Sequence, residues 1–450
     1  MDHRSLPVPA LRSVLPEHFR SYSQHNVDEI GALAGLSPEQ RFEIKVVATV
    51  LPFRVNQYVI EDLIDWNRVP DDPMFRLVFP QPEMLDPADF SAVADALRKG
   101  APKSELAATV GSIRANLNPH PADQRTLNVP SLDGELLEGV QHKYDETVLF
   151  FPARGQVCHS YCTFCFRWAQ FIGDKSLRFA SAQPQALARY LKQQPNVSDL
   201  LITGGDPMVM KAHHLAHYID PILKDDLSHV QSIRIGTKSL SFWPHRFVSD
   251  SDATELLQLL ERCVHAGKHV AIMAHYNHWC ELDTPVAREA IRRIRETGAV
   301  IRSQGPLLKR INDDPTIWSR LWSDQVRQGI YPYYMFVERD TGAKSYFEVP
   351  LAKAWKIYRA AMKQVSGLAR TARGPSMSTS PGKIEVQGVT EINGEKVFVL
   401  RFIQGRDPDW VQRPFFARFD PEATWLDQLE PAFGQTHFFF EDESTDPARV

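Results

Sequence analysis

From Thr147 onward the chain alternates between short apolar runs and amphipathic helical stretches, and few folds accept that pattern. The apolar runs lie at 148–151, 199–203, 230–235, 269–275, 300–304 and 331–337. Helix-patterned segments fall between them at 183–194, 253–266, 285–297 and 316–328. Strands separated by crossover helices pair in parallel and are buried on both faces. Periodicity alone leaves a doubly wound sheet and a barrel both open. Polar motifs at the strand ends favour the barrel: GGDP at 204–207, RIGTK at 234–238, AHYNH at 274–278, SQG at 303–305 and ERD at 338–340. Side chains gathered past the C-terminal ends of successive strands are what a barrel active site requires. The predicted fold is α/β, a partial (βα)6 TIM-type barrel over 141–350. A helical N-terminal region covers 1–140 and a smaller C-terminal region covers 351–450.

Three of the five cysteines, Cys158, Cys162 and Cys165, crowd the loop after the first of these strands. Thiols spaced x3 and then x2 in one loop point to a metal centre, since a tight turn can aim several sulfurs at one place. A structural zinc site closes with a fourth Cys or His, and iron–sulfur cubanes of simple electron carriers take four thiolates. Three thiolates leave one iron of a cubane open for chemistry. His159 is the candidate that would turn the same loop into a zinc site. A disulfide lacks a secretory context to form in.

Composition removes other classes. A net charge of −4 gives no basic field for nucleic acid. No apolar run approaches ~18 residues, which argues against a membrane span, and the first 24 residues lack a signal-peptide apolar segment. A reducing cytoplasm is the expected location. Helical patterning in the N-terminal region falls at 27–36, 38–47, 87–98 and 104–117, with a loop over 118–140. Past 350 a helix is expected at 351–365, a polar loop from 372, strands at 383–389 and 396–403, then an aromatic tail covering the barrel or an oligomer contact.

With Phe164 before the last cysteine, and Phe166, Arg167, Trp168 and Phe171 after it, the loop resembles the lysine 2,3-aminomutase branch of the radical S-adenosylmethionine (SAM) enzymes. The resemblance runs from near Val47 to near Gln404, about four-fifths of the chain. It implies a barrel of the radical SAM type, a 4Fe-4S cluster on Cys158, Cys162 and Cys165, and S-adenosylmethionine chelated by the open iron. It also implies an electron donor such as flavodoxin or ferredoxin. Gly204 and Gly205 would admit the methionine end of that ligand, with Asp206, where most of the superfamily has glutamate, accepting from its ammonium. Phe164 would lean on the adenine, and His275, Asn277 and Gln304 match polar rim positions.

The same resemblance implies pyridoxal 5′-phosphate, with Lys383 as its lysine and Lys143 and Tyr144 at its phosphate. Thr147 replaces a second arginine there, for which neighbouring serines and Arg154 would compensate, and Ser378-Thr379-Ser380-Pro381-Gly382 is a stiffer approach to the lysine than the family's glycines. Arg167 matches the clamp on the substrate α-carboxylate. Arg339 and Ser376 stand where lysine-specific enzymes carry aspartates, with Asp340 one residue out of register. The implied reaction is a 2,3-aminomutase isomerisation of an acidic or polar amino acid rather than lysine. Two alternatives stay open: a radical enzyme of this branch without pyridoxal phosphate, doing epimerisation or dehydrogenation, and a zinc-stabilised binding protein. The partners expected are a small amino-acid substrate and the electron donor, without nucleic acid or membrane, in a chain that could form a homo-oligomer.

Overall fold

The computed structural model describes residues 19–118, 128–173 and 177–442; most of the opening segment read for a signal peptide falls on 1–18, outside the described residues. The N-terminal region begins with a two-stranded pair, β1 (Ser21–Ser23) against β2 (Arg54–Asn56). Between them lies α1 (Pro38–Val50), started by a capping box in which Ser37 Oγ accepts from Gln40 N and the Gln40 side chain accepts from Ser37 N. The patterning at 27–36 forms two 3₁₀ turns, Val27–Glu29 and Gly31–Gly35, rather than one helix. Helices α2 (Pro73–Val78), α3 (Pro87–Arg98) and α4 (Lys103–Leu117) follow, then a short hairpin of β3 (Ser131–Leu132) and β4 (Glu135–Leu136).

The rest of the chain builds an 11-stranded mixed sheet in which spatial order follows chain order from β5 to β15. Its strands are β5 (Val140–Tyr144), β6 (Thr147–Phe150), β7 (Asp199–Ile202), β8 (Ser232–Thr237), β9 (His269–His275), β10 (Val300–Leu307), β11 (Ile330–Val337), β12 (Arg373–Ser378), β13 (Gly382–Ile392), β14 (Glu395–Gly405) and β15 (Pro414–Arg418). Pairing from β6 through β12 is parallel, and β5, β13, β14 and β15 are antiparallel to their neighbours. The parallel crossovers carry α5 (Pro184–Lys192), α6 (Ala212–Ile219), α7 (Ser239–Phe242), α8 (Ala253–His265), α9 (Pro285–Glu296), α10 (Pro315–Arg327), α11 (Lys344–Phe347) and α12 (Leu351–Lys363). An unbroken sequential order means that every crossover advances the sheet in the same direction, which right-handed connections achieve with helices on one face.

Among the described residues, three apolar cores hold this together. The largest packs crossover helices on the parallel strands, through residues such as Leu187, Leu215, Leu260, Ile291, Trp318 and Trp322. A second joins the N-terminal helices to the cysteine loop, bringing Phe75 and Phe79 together with Phe164 and Trp168. In the third, Phe402, Trp410 and Phe415 on and beside β14 and β15 meet Phe438 and Phe440 of the aromatic tail. The tail therefore covers the antiparallel strands. Three sheet strands depart from the sequence reading, one of them β15 (Pro414–Arg418), read only as aromatic tail. Arg373–Ser378, read as loop, is β12, the strand that joins the C-terminal region to the parallel sheet; Val140–Tyr144 is β5, beginning inside the stretch read as loop.

Candidate active site

The cysteine loop leaves the C-terminal end of β6 and is fastened by backbone bonds to the N-terminal region: Tyr161 N donates to Arg54 O at 2.8 Å and Thr163 N to Leu77 O at 2.9 Å. A third tie runs from Asn56 N to Ser160 Oγ at 3.0 Å. Within the loop, Cys165 N donates to Cys162 O at 3.1 Å. All three thiols are free, and burial pushes each upward, Cys165 to about 11. Among the described residues, no group of three or more His, Cys, Asp or Glu side chains converges as one metal ion would require. His159 turns away from the thiols: its Nδ1 meets Ser239 Oγ at 2.9 Å, its ring stacks on Trp243, and burial holds it down to about 3. The zinc alternative loses its fourth ligand.

Gly204 and Gly205 face the cysteine loop itself. A Cβ on Gly205 would stand 2.6 Å from Val157 N, and one on Gly204 would stand 2.3 Å from Gln156 Nε2. These glycines let the β7 end approach the backbone just before Cys158, which differs from the ligand-side clearance expected of them. Asp206 also has a structural assignment. Its Oδ1 accepts from Met208 N (2.9 Å) and Thr237 Oγ1 (2.7 Å), and its Oδ2 from Lys238 N (2.9 Å) and Ser239 Oγ (3.0 Å). Four donors fill the acceptor capacity of a carboxylate, so the expected bond to a ligand ammonium has no lone pair left here. Asp206 N meanwhile donates to Gly155 O and Val157 O, at 3.0 and 2.9 Å. One residue thus ties the cysteine loop, β7 and β8 together.

The rim continues on β9 and β10. Phe164 lies on the His275 ring, centroids 5.7 Å apart and 18° from parallel. His275 is held well below its ordinary value by burial, and the Lys238 charge beside it adds to that. The Asn277 side chain acts on the ring as a hydrogen-bond partner, and among the described residues Nδ2 of the fully buried Asn277 has no acceptor. Gln304 sits on β10, where its carbonyl accepts from Tyr276 N at 3.0 Å. Gly305 admits Tyr276 O, which would be 2.1 Å from an added Cβ.

A second group gathers round the turn from β12 to β13. Lys143 Nζ on β5 donates to Thr379 O at 2.5 Å. Lys383 Nζ donates to Gln404 Oε1 at 3.3 Å and lies 4.4 Å from the centre of the Tyr334 ring. Burial pulls both lysines down to about 7. Arg406, Arg339 and Lys383 reinforce this at Lys143, and Arg234 and Arg373 do so at Lys383. Tyr144 lies beneath the Lys143 ammonium, 5.4 Å from it, and burial raises its phenol. Arg154, offered as a compensating cation, instead contacts His214 on α6. Thr147 Oγ1 donates to Asp199 Oδ2 at 3.1 Å. Asp199 also takes two bonds from Arg234, which supplies a cation at this end of the sheet.

The substrate candidates separate. Arg167 is buried beside Cys158 and Cys165; its Nη2 donates to Gln170 Oε1 at 2.8 Å, its guanidinium lies over Phe151, and among the described residues its Nε has no acceptor. Arg339 is about 38% exposed, lies between the Phe166 and Trp425 rings, and acts electrostatically on Lys143 and on the buried Glu338. Ser376 is fully buried and its hydroxyl donates to Met335 O at 3.4 Å, so its side chain serves the β11–β12 contact rather than an open pocket.

Sequence relationships agree with this geometry. Over 389 residues the chain is 30% identical to a protein of Aquifex aeolicus (strain VF5) named "Putative L-lysine 2,3-aminomutase", spanning 86% of this chain and 90% of that one. The chain belongs to the lysine 2,3-aminomutase family of radical SAM enzymes. The L-lysine 2,3-aminomutase of Methanococcus maripaludis is 26% identical over 275 residues, where the match spans 61% of this chain and 60% of that protein's length. No family model matches. Streptococcus suis SuiB bound to S-adenosylmethionine aligns over 61% of this chain and 57% of its own at 11% identity and a TM-score of 0.36.

Membership in the aminomutase family implies a 4Fe-4S cluster and S-adenosylmethionine, and the residues present fit them. Cys158, Cys162 and Cys165 would hold the cluster. Arg167 Nε and Asn277 Nδ2 are, among the described residues, buried polar atoms without a partner, of the kind a bound ligand satisfies. Several site residues escaped the sequence reading. Glu281, in the 3₁₀ turn Trp279–Leu282 after β9, is fully buried against Lys238. Arg373 and Arg406 join the lysine group from β12 and from beyond β14. Acidic or basic letters in otherwise ordinary loops gave no signal; only the fold brings them inward. Among the described residues no helix is long and apolar enough to cross a membrane.

Proposed function

We propose that this chain is a pyridoxal-phosphate-dependent radical SAM 2,3-aminomutase, built on a partial six-strand barrel, that acts on an acidic or neutral polar amino acid rather than lysine. The observation that carries the reading is the cationic group around the β12–β13 turn. Lys143 and Lys383 are drawn down to about 7 in the company of Arg234, Arg339, Arg373 and Arg406. Asp199 pairs with Arg234, Asp340 lies beside Arg339 and Glu146 acts on Lys383, yet the six cations outnumber these carboxylates, as a site whose natural occupant is an anion requires. The barrel reading is supported by the bond from Lys143 on β5 to Thr379 after β12, because strands far apart in the sheet order meet only if the sheet curls.

When bound, pyridoxal phosphate supplies the conjugation that lets an amino group move between adjacent carbons, and S-adenosylmethionine supplies the hydrogen-abstracting group. The chain's own residues do the rest. Lys383, drawn down from the ordinary lysine range by burial and the nearby arginines, offers a nucleophilic amine more readily than a solvated lysine would. Lys143 and the arginines neutralise phosphate. Arg167, beside the cluster thiols, has an unused Nε for a substrate carboxylate and would fix which carbon faces the reactive site. Arg339 would accept a distal carboxylate or carbonyl, whereas a distal ammonium would face like charge in a poorly solvated place. A one-electron donor of the flavodoxin or ferredoxin kind would reduce the cluster.

The test is spectroscopic. Anaerobically reconstituted protein should bind pyridoxal phosphate with a visible absorption band that Lys383→Ala abolishes while iron and sulfide content stay unchanged. Absence of the band in the unaltered chain would instead favour the radical enzyme without pyridoxal phosphate.

A further inference from the structure

Behind the cysteine loop lies a closed polar network that the reactions above do not use. Glu281 is fully buried and both its oxygens are taken twice. Oε1 accepts from Lys238 Nζ at 2.6 Å and from Ser241 Oγ; Oε2 accepts from His278 N at 2.8 Å and from Asn277 N. Lys238 spends its three protons on Glu281 Oε1, Asn277 Oδ1 at 2.9 Å and His275 O at 3.3 Å. Its charge also acts on the Cys162 thiol, so the network stands next to the cluster loop. Asn312 Nδ2 closes the circle on Asn277 O at 3.0 Å.

This network leaves one thing undetermined by itself and then determines it. An asparagine amide can be turned either way about its last bond, presenting oxygen or NH₂ to a neighbour. An ammonium has donors only, so Lys238 forces the oxygen of Asn277 towards itself. The NH₂ group must then point the other way, where Nδ2 is buried and, among the described residues, without an acceptor. An unsatisfied buried donor costs about 1–3 kcal/mol, and the arrangement makes sense where a ligand acceptor takes the bond.

We infer that Lys238 and Glu281 are positioning residues that lock the Asn277 amide with its NH₂ towards S-adenosylmethionine, so that Asn277 donates to an acceptor atom of that ligand. The inference rests on the assignment of Asn277 to the nucleotide rim and adds what fixes its orientation. The acceptor is a nitrogen or oxygen of either the adenosine half or the amino-acid half.

Equilibrium binding of S-adenosylmethionine to the anaerobically reconstituted full chain tests it by a double-mutant cycle. Asn277→Ala and Lys238→Met should each raise Kd about tenfold with iron content retained, as loss of one oriented hydrogen bond does. The double variant should be no weaker than Asn277→Ala alone, because Lys238 acts through that amide. Full additivity, or no effect of Lys238→Met, overturns the positioning role while leaving the rim assignment standing. No effect of Asn277→Ala overturns the rim assignment itself. Should Lys238→Met fail to fold, Asn277→Asp is decisive, since a carboxylate keeps the Lys238 partner but has no donor. It should lose the same tenfold, and wild-type affinity would refute the inference. Repeating the cycle with 5′-methylthioadenosine separates the ends of the ligand: a shared loss places the bond on the adenosine half, a spared affinity on the amino-acid half.

Discussion

Lys143 on β5 donates to Thr379 O at 2.5 Å, and Thr379 is four residues before Lys383 in the turn between β12 and β13. The bond joins an edge strand to a strand seven places along the sheet order, and it brings two lysines into one electrostatic field.

Removing that amine should therefore weaken an anion more than a neutral ligand. Lys143→Met is expected to lower the affinity for pyridoxal phosphate by about tenfold to a hundredfold, the worth of one charge-assisted bond. Pyridoxal, which lacks the phosphate, should bind the variant and the unaltered chain alike. Paired titrations with the two compounds give the comparison.

The depressed lysines also set a pH dependence whose sign is fixed. A free lysine titrates near 10.4, while Lys383 is drawn down to about 7 by burial and by Arg234 and Arg373. Between those values the unfolded chain holds a proton that the folded chain does not, so this lysine's contribution to stability rises with pH across the interval. Below about 7 the folded site must carry the charge too, and the dependence flattens. In the absence of pyridoxal phosphate, the stability difference between the unaltered chain and Lys383→Met should follow that course in denaturant melts at pH 6 to 10. A difference independent of pH would place Lys383 in an ordinary solvated setting.

Gly205 makes a sharper test than its sequence motif suggested. Clearance for a ligand would predict that Gly205→Val loses S-adenosylmethionine but keeps iron. The structure puts the added carbon 2.6 Å from Val157 N, inside the loop that carries Cys158. Gly205→Val should thus lose both, with iron and sulfide per chain falling along with nucleotide binding.

That contrast shows what the sequence could convey. The alternation of strands and helices was legible because apolar periodicity is local, and His269–His275 is strand β9 over the whole of the expected run. The cysteine loop was legible because its spacing is chemical. β12 was not: Gly374 and Pro375 weaken its strand signal, and its parallel pairing with β11 comes from distant chain. Asp206 was recognised as a site residue, yet its four donors, three of them thirty or more residues away, reassign its oxygens to the scaffold. Ser376 matched a family position by register, but register could not reveal that its hydroxyl points at Met335 O.

In the proposed function, substrate charge turns on Arg339. Ser376→Asp is a poor probe, since a carboxylate there would be buried against β11. Arg339→Asp replaces a cation with an anion at a partly exposed position, and on the proposed function would reverse the charge that meets the distal end of the substrate. The most direct measurement is an anaerobic competition of equimolar glutamate and lysine, with S-adenosylmethionine, pyridoxal phosphate and a reductant present, scored by the β-amino isomers formed. The unaltered chain should give the isomer of glutamate in excess, and Arg339→Asp should shift the ratio towards lysine by about a hundredfold. A predominance of the lysine isomer from the unaltered chain would contradict the account.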